Sequence, residues 1–123
     1  MNTETKERRK LERIFFSDED KITALVNLPG NRDNFITADI MDLSEEGICL
    51  AFRHGDEGDK LKEGDHLILA EINGANLHFI AKIEIEIRWT LNLRHIAAGC
   101  VFQHVPQTIR KKIRQFMNSW VDA

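Results

Sequence analysis

The chain is poor in several residue types on which small folds and recognition surfaces often depend. Its 123 residues include no tyrosine, two prolines and two cysteines, and only 7% of the chain is aromatic. Cys49 and Cys100 lie far apart and form no C-x-x-C pair, and the five histidines show no metal-ligand spacing. We expect the cysteines to be free thiols buried within strands. No apolar run is long enough to span a membrane and no secretory signal is present, which predicts a cytoplasmic protein.

The charge is unevenly distributed. The formal net charge is −3, so the whole chain has no general attraction for nucleic acid or anionic lipid, and any anion site must be built locally. Residues 1–13 carry five basic and three acidic side chains, whereas the rest of the chain is acidic. Few apolar residues occur in this first segment. We therefore predict a flexible N-terminal arm over 1–13 and a single folded domain over 14–123.

Most of the chain beyond residue 21 has the pattern of β-strands. Six segments rich in β-formers are separated by polar residues or turn signals. The predicted strands are 22–28, 35–41, 47–52, 66–72, 77–89 and 95–103. In the fifth of these, alternation predicts one buried face, formed by Ile83, Ile85, Ile87 and Trp89. Asn73-Gly74 predicts a two-residue hairpin turn just before it.

The last segment has helical spacing instead. After Pro106, apolar residues recur as in an amphipathic helix, which we predict over 106–121. Its apolar stripe should pack on the sheet, and the basic side chains at 110–114 should be solvated. Six short strands and one helix predict a mainly β fold, a small six-stranded antiparallel β-barrel of the split, Greek-key kind with a C-terminal α-helix.

Two short motifs occur in the predicted arm and between two of the predicted strands. Arg9 and Arg13 form R-x-x-x-R in the arm, and Asp42, Ser44 and Gly47 form D-x-S-x-x-G between the second and third predicted strands. With the strand order and the terminal helix, these motifs resemble the PilZ domain family, the cyclic di-GMP receptors of bacteria. The resemblance covers nearly all of the chain from about residue 7. The two motifs in this order are more specific than either motif alone.

The resemblance implies a binding function without a cofactor and without catalysis. It assigns cyclic di-GMP binding to the motif positions, which are Arg9, Arg13, Asp42, Ser44 and Gly47. A basic residue at Arg8 implies that a stacked pair of ligand molecules binds. The resemblance also implies a role in motility, exopolysaccharide production or biofilm control, exerted through a protein partner that the sequence does not identify.

The chemistry of these residues suits a ligand with two guanines and two phosphodiesters. A guanidinium donates paired hydrogen bonds to a phosphate or to O6 and N7 of guanine, and it stacks on a base. Asp42 can accept from guanine N–H groups, and Ser44 offers a hydroxyl. Gly47 allows a close backbone approach or a positive φ. Trp89 is a further candidate, either as an apolar wall for a base or as a barrel residue. Binding is expected to order the arm against the barrel.

Other functions remain open at this point. A PilZ-like fold can act as a protein-interaction adaptor without binding nucleotide, although the intact motifs argue against this. A nucleic-acid-binding barrel is disfavoured by the acidic body and the few aromatic residues. An enzyme is least favoured, because the sequence shows no nucleophile–base pair, metal cluster or phosphate-cradling glycine loop.

Overall fold

The computed structural model describes residues 12–28, 30–55 and 57–122. Across these residues the chain forms seven β-strands and one α-helix. The strands are β1 Ile14–Phe15, β2 Thr23–Leu28, β3 Asn31–Leu43, β4 Gly47–Phe52, β5 His66–Asn73, β6 Glu84–Asn92 and β7 Ile96–Gln103. The helix, α1, spans Gln107–Asp122. The predicted mainly β class and the C-terminal helix are confirmed.

Six of the strands close into an antiparallel barrel. The strand order is β1-β3-β2-β5-β6-β7-β4, and β4 also pairs with β3, which closes the ring. β3 is 13 residues long, so it pairs with β2 along one part and with β4 along another. The short β1 adds to β3 beside its last residues, Asp42 and Leu43. The predicted six-stranded barrel is confirmed, and β1 is an addition to it.

The barrel interior is filled by alternate side chains of the strands, because successive residues point to opposite faces. Its largest fully buried members include Leu43, Leu50, Phe52, Ile85 and Ile87. Burying each such side chain stabilises the fold by about 1.5–3 kcal/mol. The core cluster also includes Ile113 and Met117 of α1. The amphipathic pattern of the last segment thus correctly predicted which helix face is buried.

The segment between β5 and β6 differs from the prediction. Strand β6 begins at Glu84, not at residue 77, and Asn73-Gly74 does not form a two-residue hairpin. Gly74, Ala75 and Asn76 all have positive φ, and a 3-10 turn follows at His78–Ile80. Leu77 and Ile80 are fully buried in the core, which explains their apolar character without a strand.

Two β-bulges interrupt β3 and β6, the strands that flank the neighbouring pair β4 and β7. In β3 the pairing shifts between Ile40 and Asp42, and in β6 it shifts between Ile87 and Trp89. A bulge inserts one extra residue and redirects the side chains that follow it. Trp89 therefore leaves the buried face predicted by strict alternation and is 45% exposed.

Within the described ranges, no helix combines the length and the apolar character needed to cross a bilayer.

One flank of α1 carries an aromatic cluster. Phe116 and Trp120 stack on each other, and the ring of Phe16, just after β1, meets both at 6.4 and 5.1 Å between centroids. The helix is thereby fixed to the chain segment that follows Arg13.

Candidate functional site

Four residues on neighbouring strands form a lateral row on the outer face of the barrel. Asp42 of β3 pairs with Cys49 of β4, Cys49 pairs with Gly99 of β7, and Gly99 pairs with Trp89 of β6. Asp42 and Trp89, at the two ends of this row, each follow directly after a bulge. The bulges therefore direct a carboxylate and an indole towards the same stretch of surface.

This row forms part of a pocket of about 130 Å³. Its floor consists of small residues, Gly47 and Cys49 of β4 and Gly99 of β7. Arg13 and Arg88 bring two guanidinium groups to its wall, and the indole of Trp89 gives it an apolar side. A concave site with a flat aromatic side, a buried carboxylate and two arginines suits a planar, hydrogen-bonding group attached to an anion.

Arg13 and Asp42 form the ion pair that connects the end of the arm to the barrel. Arg13 Nη1 lies 3.8 Å from Asp42 Oδ2, and the Arg13 side chain is 49% exposed whereas that of Asp42 is 11% exposed. Burial raises the pKa of Asp42, and the nearby Arg13 guanidinium opposes this by lowering it. At this distance the pair is loose, so both groups retain capacity to hydrogen-bond a ligand.

Ser44 shapes the turn that follows Asp42. Its Oγ accepts hydrogen bonds from the backbone N–H groups of Gly47 at 3.0 Å and Glu46 at 3.2 Å. The Ser44 N–H also donates to the Gly47 carbonyl at 2.9 Å. The turn is thus a serine-stabilised β-turn. Its hydroxyl is occupied within the turn, so Ser44 contributes mainly by holding the shape of the site.

Gly47 is required for a close approach between strands. A Cβ built at this position would overlap the carbonyl oxygen of Cys100 on β7. Gly47 is not among the glycines with positive φ, so of the two expected roles the structure supports the close approach. Gly99 is similar, because a Cβ there would overlap the indole of Trp89. The ring therefore lies directly against the Gly99 backbone.

The two cysteines are buried free thiols, as predicted. Cys100 belongs to the core cluster, whereas Cys49 is in register with Asp42 and lines the pocket. Burial, with a contribution from the Asp42 carboxylate, raises the pKa of Cys49 to about 11. Burial raises the pKa of Cys100 to about 12. Both groups are therefore neutral thiols near neutral pH, and neither is an activated nucleophile.

The basic side of α1 is not solvated in the way that the sequence predicted. Arg114 donates from Nε and Nη2 to the two carboxylate oxygens of Glu45, each at 3.0 Å. Arg110 Nη1 donates to Glu46 Oε1 at 2.9 Å and to the Glu45 carbonyl at 3.3 Å. The helix therefore contacts the D-x-S-x-x-G turn directly, a long-range contact that the local pattern did not reveal.

Five of the predicted site residues come together in one place. Arg13, Asp42, Ser44, Gly47 and Trp89 all line the pocket. Arg8 and Arg9 lie outside the described residues.

Seven lining residues were not among the predicted site residues, and these include Arg88, Glu46, Cys49 and Gly99. Cys49 could have been found from its place two residues after Gly47, on the same face of a strand. Arg88 could not have been found in this way, because the alternation of apolar residues does not reveal the bulge that follows Ile87.

Two other hollows on the described surface are larger but chemically less suited to an anion. One of about 330 Å³ lies near His66 and Glu84, and one of about 290 Å³ lies near Phe79 and Ile109. Neither is lined by an arginine. Among the residues that the structure describes, no group of three or more His, Cys, Asp or Glu side chains is placed to hold a metal ion.

Comparisons with solved structures show the same fold in other proteins. MrkH, titled a c-di-GMP-dependent transcription regulatory factor, aligns with a TM-score of 0.65 and 15% identity over 89% of this chain and 49% of its own. The PilZ domain of YcgR from Escherichia coli, solved with c-di-GMP, aligns with a TM-score of 0.63 and 12% identity over 89% and 88%. A structure of YcgR in complex with c-di-GMP gives 0.58 and 12% over 89% and 44%. The chain thus spans about half of MrkH and slightly less of the longer YcgR structure.

Sequence comparison gives the family. No curated protein sequence matches the chain. The family model of the PilZ domain, however, matches residues 7–119, which is nearly the whole chain. Together with the closed barrel, this match shows that the chain belongs to the PilZ domain family.

Proposed function

We propose that this protein is a receptor that binds cyclic di-GMP on the outer face of its barrel. The observation that carries the proposal is the single pocket in which Arg13, Asp42 and Trp89 meet over a floor of small residues. Two solved structures of YcgR contain c-di-GMP, which supports the same ligand class here.

Each group in the pocket has a role in this proposal. Asp42 accepts from the N–H groups of a guanine, and Trp89 provides a flat surface for the base. Arg13 and Arg88 donate to phosphate or to the guanine edge. Ser44 and Gly47 hold the turn in the shape that presents Asp42.

Arg8 and Arg9 complete the site in this proposal. The pocket of about 130 Å³ is smaller than the roughly 300–1,000 Å³ that usually encloses a small molecule, so it holds one base and leaves the rest of the dinucleotide outside. Arginines of the arm would contact that exposed part. Arg8 would supply the extra positive charge that a second, stacked ligand molecule requires.

Ligand binding would order residues 1–13 over the pocket and create a surface for a protein partner. In this way the concentration of the second messenger is converted into a change of shape. The proposed biological roles are those implied by family resemblance, namely motility, exopolysaccharide and biofilm control.

Isothermal titration with cyclic di-GMP tests the proposal. Arg13→Ala should weaken binding by about tenfold or more, since one paired guanidinium contact contributes about 1–3 kcal/mol. Arg94→Ala is the matched control, because Arg94 is an exposed arginine in the β6–β7 turn and does not line the pocket. No heat of binding for the unaltered protein at high micromolar ligand would contradict the proposed function.

A protein-interaction adaptor is the second candidate. Leu91 and Leu93, at the end of β6 and in the turn after it, are 51% and 57% exposed and lie close in sequence to Trp89. Exposed apolar side chains in a group are typical of protein contacts. Absence of cyclic di-GMP binding, together with a partner retained by the intact protein but lost in Leu91→Ser, would favour this candidate.

A further inference from the structure

The two residues between Ser44 and Gly47 of the D-x-S-x-x-G motif are both acidic, and both are held by α1. Glu45 receives a two-point contact from Arg114, and its side chain is only 14% exposed. Glu46 pairs with Arg110 at 2.9 Å. Paired hydrogen bonds between a guanidinium and a carboxylate restrict orientation as well as distance. The motif turn is therefore connected to the helix at both of its central residues.

The helix is suited to act as a fixed support. Arg110 and Arg114 are four residues apart, so they project from the same side of α1. Ile113 and Met117, between and beyond them, are buried in the core. The aromatic rings of α1 contact Phe16, which follows β1 and Arg13. The helix thus contacts the motif turn and also Phe16, which lies three residues after Arg13.

The acidic residues create an electrostatic problem for an anion site. Glu46 lines the pocket, and Glu45 is its neighbour in the turn. Two unpaired carboxylates there would repel a dianionic ligand. Arg110 and Arg114 neutralise both charges while holding the turn against the helix.

We propose that Arg110 and Arg114 are positioning residues of the ligand site. They hold the Ser44–Gly47 turn in its binding shape and cancel the charge of Glu45 and Glu46 beside the pocket. This inference rests on the proposed binding of cyclic di-GMP and adds a support whose ion pairs join residues 64 and 69 positions apart in the chain.

Affinity for cyclic di-GMP is the first test. Arg114→Gln removes the paired contact and should weaken binding by about three- to thirtyfold. Lys112→Gln removes the same charge from an exposed position of α1, so it controls for general electrostatics and should change the affinity by less than about twofold. A merely structural role would lower the melting temperature without changing the dissociation constant of the folded protein.

Charge exchange gives the second test. Arg114→Glu alone should bind more weakly than Arg114→Gln, because it adds a third carboxylate next to Glu45. The double variant Glu45→Arg with Arg114→Glu restores an ion pair and the net charge, and it should recover at least part of the affinity. Recovery supports the inference. No recovery in a double variant that melts at the wild-type temperature overturns it.

Hydrogen exchange in the ligand-free protein separates this inference from the proposed function. The amides of Glu46 and Gly47 donate to Ser44 Oγ, and they should exchange about tenfold faster in Arg114→Gln than in Lys112→Gln. Equal exchange rates in the two variants overturn the positioning role. If the unaltered protein does not bind cyclic di-GMP, the proposed function fails, whereas the exchange result still decides whether Arg114 positions the turn.

Discussion

At the scale of single residues, the site depends on a few close approaches. Gly47 and Gly99 allow β4, β7 and the Trp89 ring to lie closer together than any side chain would permit. This closeness produces a smooth floor between a carboxylate and an indole. The shape of the pocket therefore depends on the absence of a Cβ at Gly47 and Gly99 as well as on the charged groups around it.

Gly47→Ala should destabilise the fold by about 1–3 kcal/mol, because its Cβ would overlap the Cys100 carbonyl and force the two strands apart. Urea unfolding measures this change. Gly55→Ala is the matched control, since a Cβ at position 55 meets nothing within 4 Å. Equal stability of the two variants would show that β4 and β7 are not packed as described.

The affinity for cyclic di-GMP should depend on the ionisation of Asp42. Burial raises the pKa of Asp42, so affinity should begin to fall at a higher pH than it would for an exposed aspartate, whose pKa is about 3.9. Affinity falls as pH falls because protonation removes a hydrogen-bond acceptor. The stability contribution of Asp42 has the opposite sign: a raised pKa favours the folded state at low pH, and this contribution is lost as pH rises through the folded-state value.

Titrations between about pH 4 and pH 7 test this dependence. Asp42→Asn should bind about tenfold more weakly at pH 7 and should lose most of the pH dependence. Asp39→Asn, at an exposed position of the same strand, should keep the wild-type profile. An unchanged profile in Asp42→Asn would assign the titration to another group.

At the scale of elements, His54 connects two loops of the barrel. His54 Nε2 lies 2.8 Å from the Leu93 carbonyl, and its Nδ1 lies 3.0 Å from Asp59 Oδ1. Both partners are acceptors, so the protonated ring satisfies both by donating from each nitrogen. This contact joins the loop after β4 to the turn between β6 and β7, the hairpin whose first strand carries Trp89.

The pKa of His54 should therefore lie above its ordinary value. The hydrogen bond to the Leu93 carbonyl is the main cause, followed by the one to Asp59. Its stabilising contribution is present in full below the unfolded-state pKa of about 6.5 and is lost as pH rises through the folded-state value. NMR titration of the ring measures this directly. Asp59→Asn should lower the pKa of His54, and Glu63→Gln should not.

The helix has two functions at this scale. Its apolar stripe completes the core, and its arginines support the motif turn. Because both functions depend on one rigid element, a displacement of α1 would change the shape of the motif turn at the proposed ligand site.

At the scale of the whole molecule, the dinucleotide site that we propose extends beyond the described barrel. The rest of the chain is acidic, so the basic arm is the main source of additional positive charge. In our proposal the arm closes over the ligand and shields it from solvent. The resulting surface, composed of arm, ligand and barrel, is what a partner would recognise.

Saturating cyclic di-GMP should slow hydrogen exchange in peptides that cover residues 1–13. Arg9→Ala should reduce this protection together with the affinity. Peptides that cover β5, none of whose residues lines the pocket, should show no change and serve as the internal control. Unchanged exchange in residues 1–13 at saturation would contradict the closing of the arm.

Several features could be read from local sequence because they depend on neighbours in the chain. The alternation in β6 and the helical spacing after Pro106 reflect burial on one face of each element. The spacing of Asp42, Ser44 and Gly47 identified the turn, since a serine-stabilised turn involves only a few consecutive residues. Together with the family resemblance, these patterns were sufficient to predict the barrel, the helix and five of the residues that line the pocket.

Other features depended on contacts between distant segments. The bulges that expose Trp89 and bring Arg88 to the pocket arise from strand pairing, and the pairing register depends on the whole barrel. The buried 3-10 turn at His78–Ile80 looked like a strand because both forms bury apolar residues. The pairs between Arg114 and Glu45 and between Arg110 and Glu46 join residues 69 and 64 positions apart.

The sequence by itself therefore determined the six barrel strands in outline, the helix and the identity of the motif residues, because local burial patterns and turn chemistry are encoded within a few positions. Only the tertiary structure decided which side chains share the pocket and which element supports it, because those relations follow from how the barrel closes.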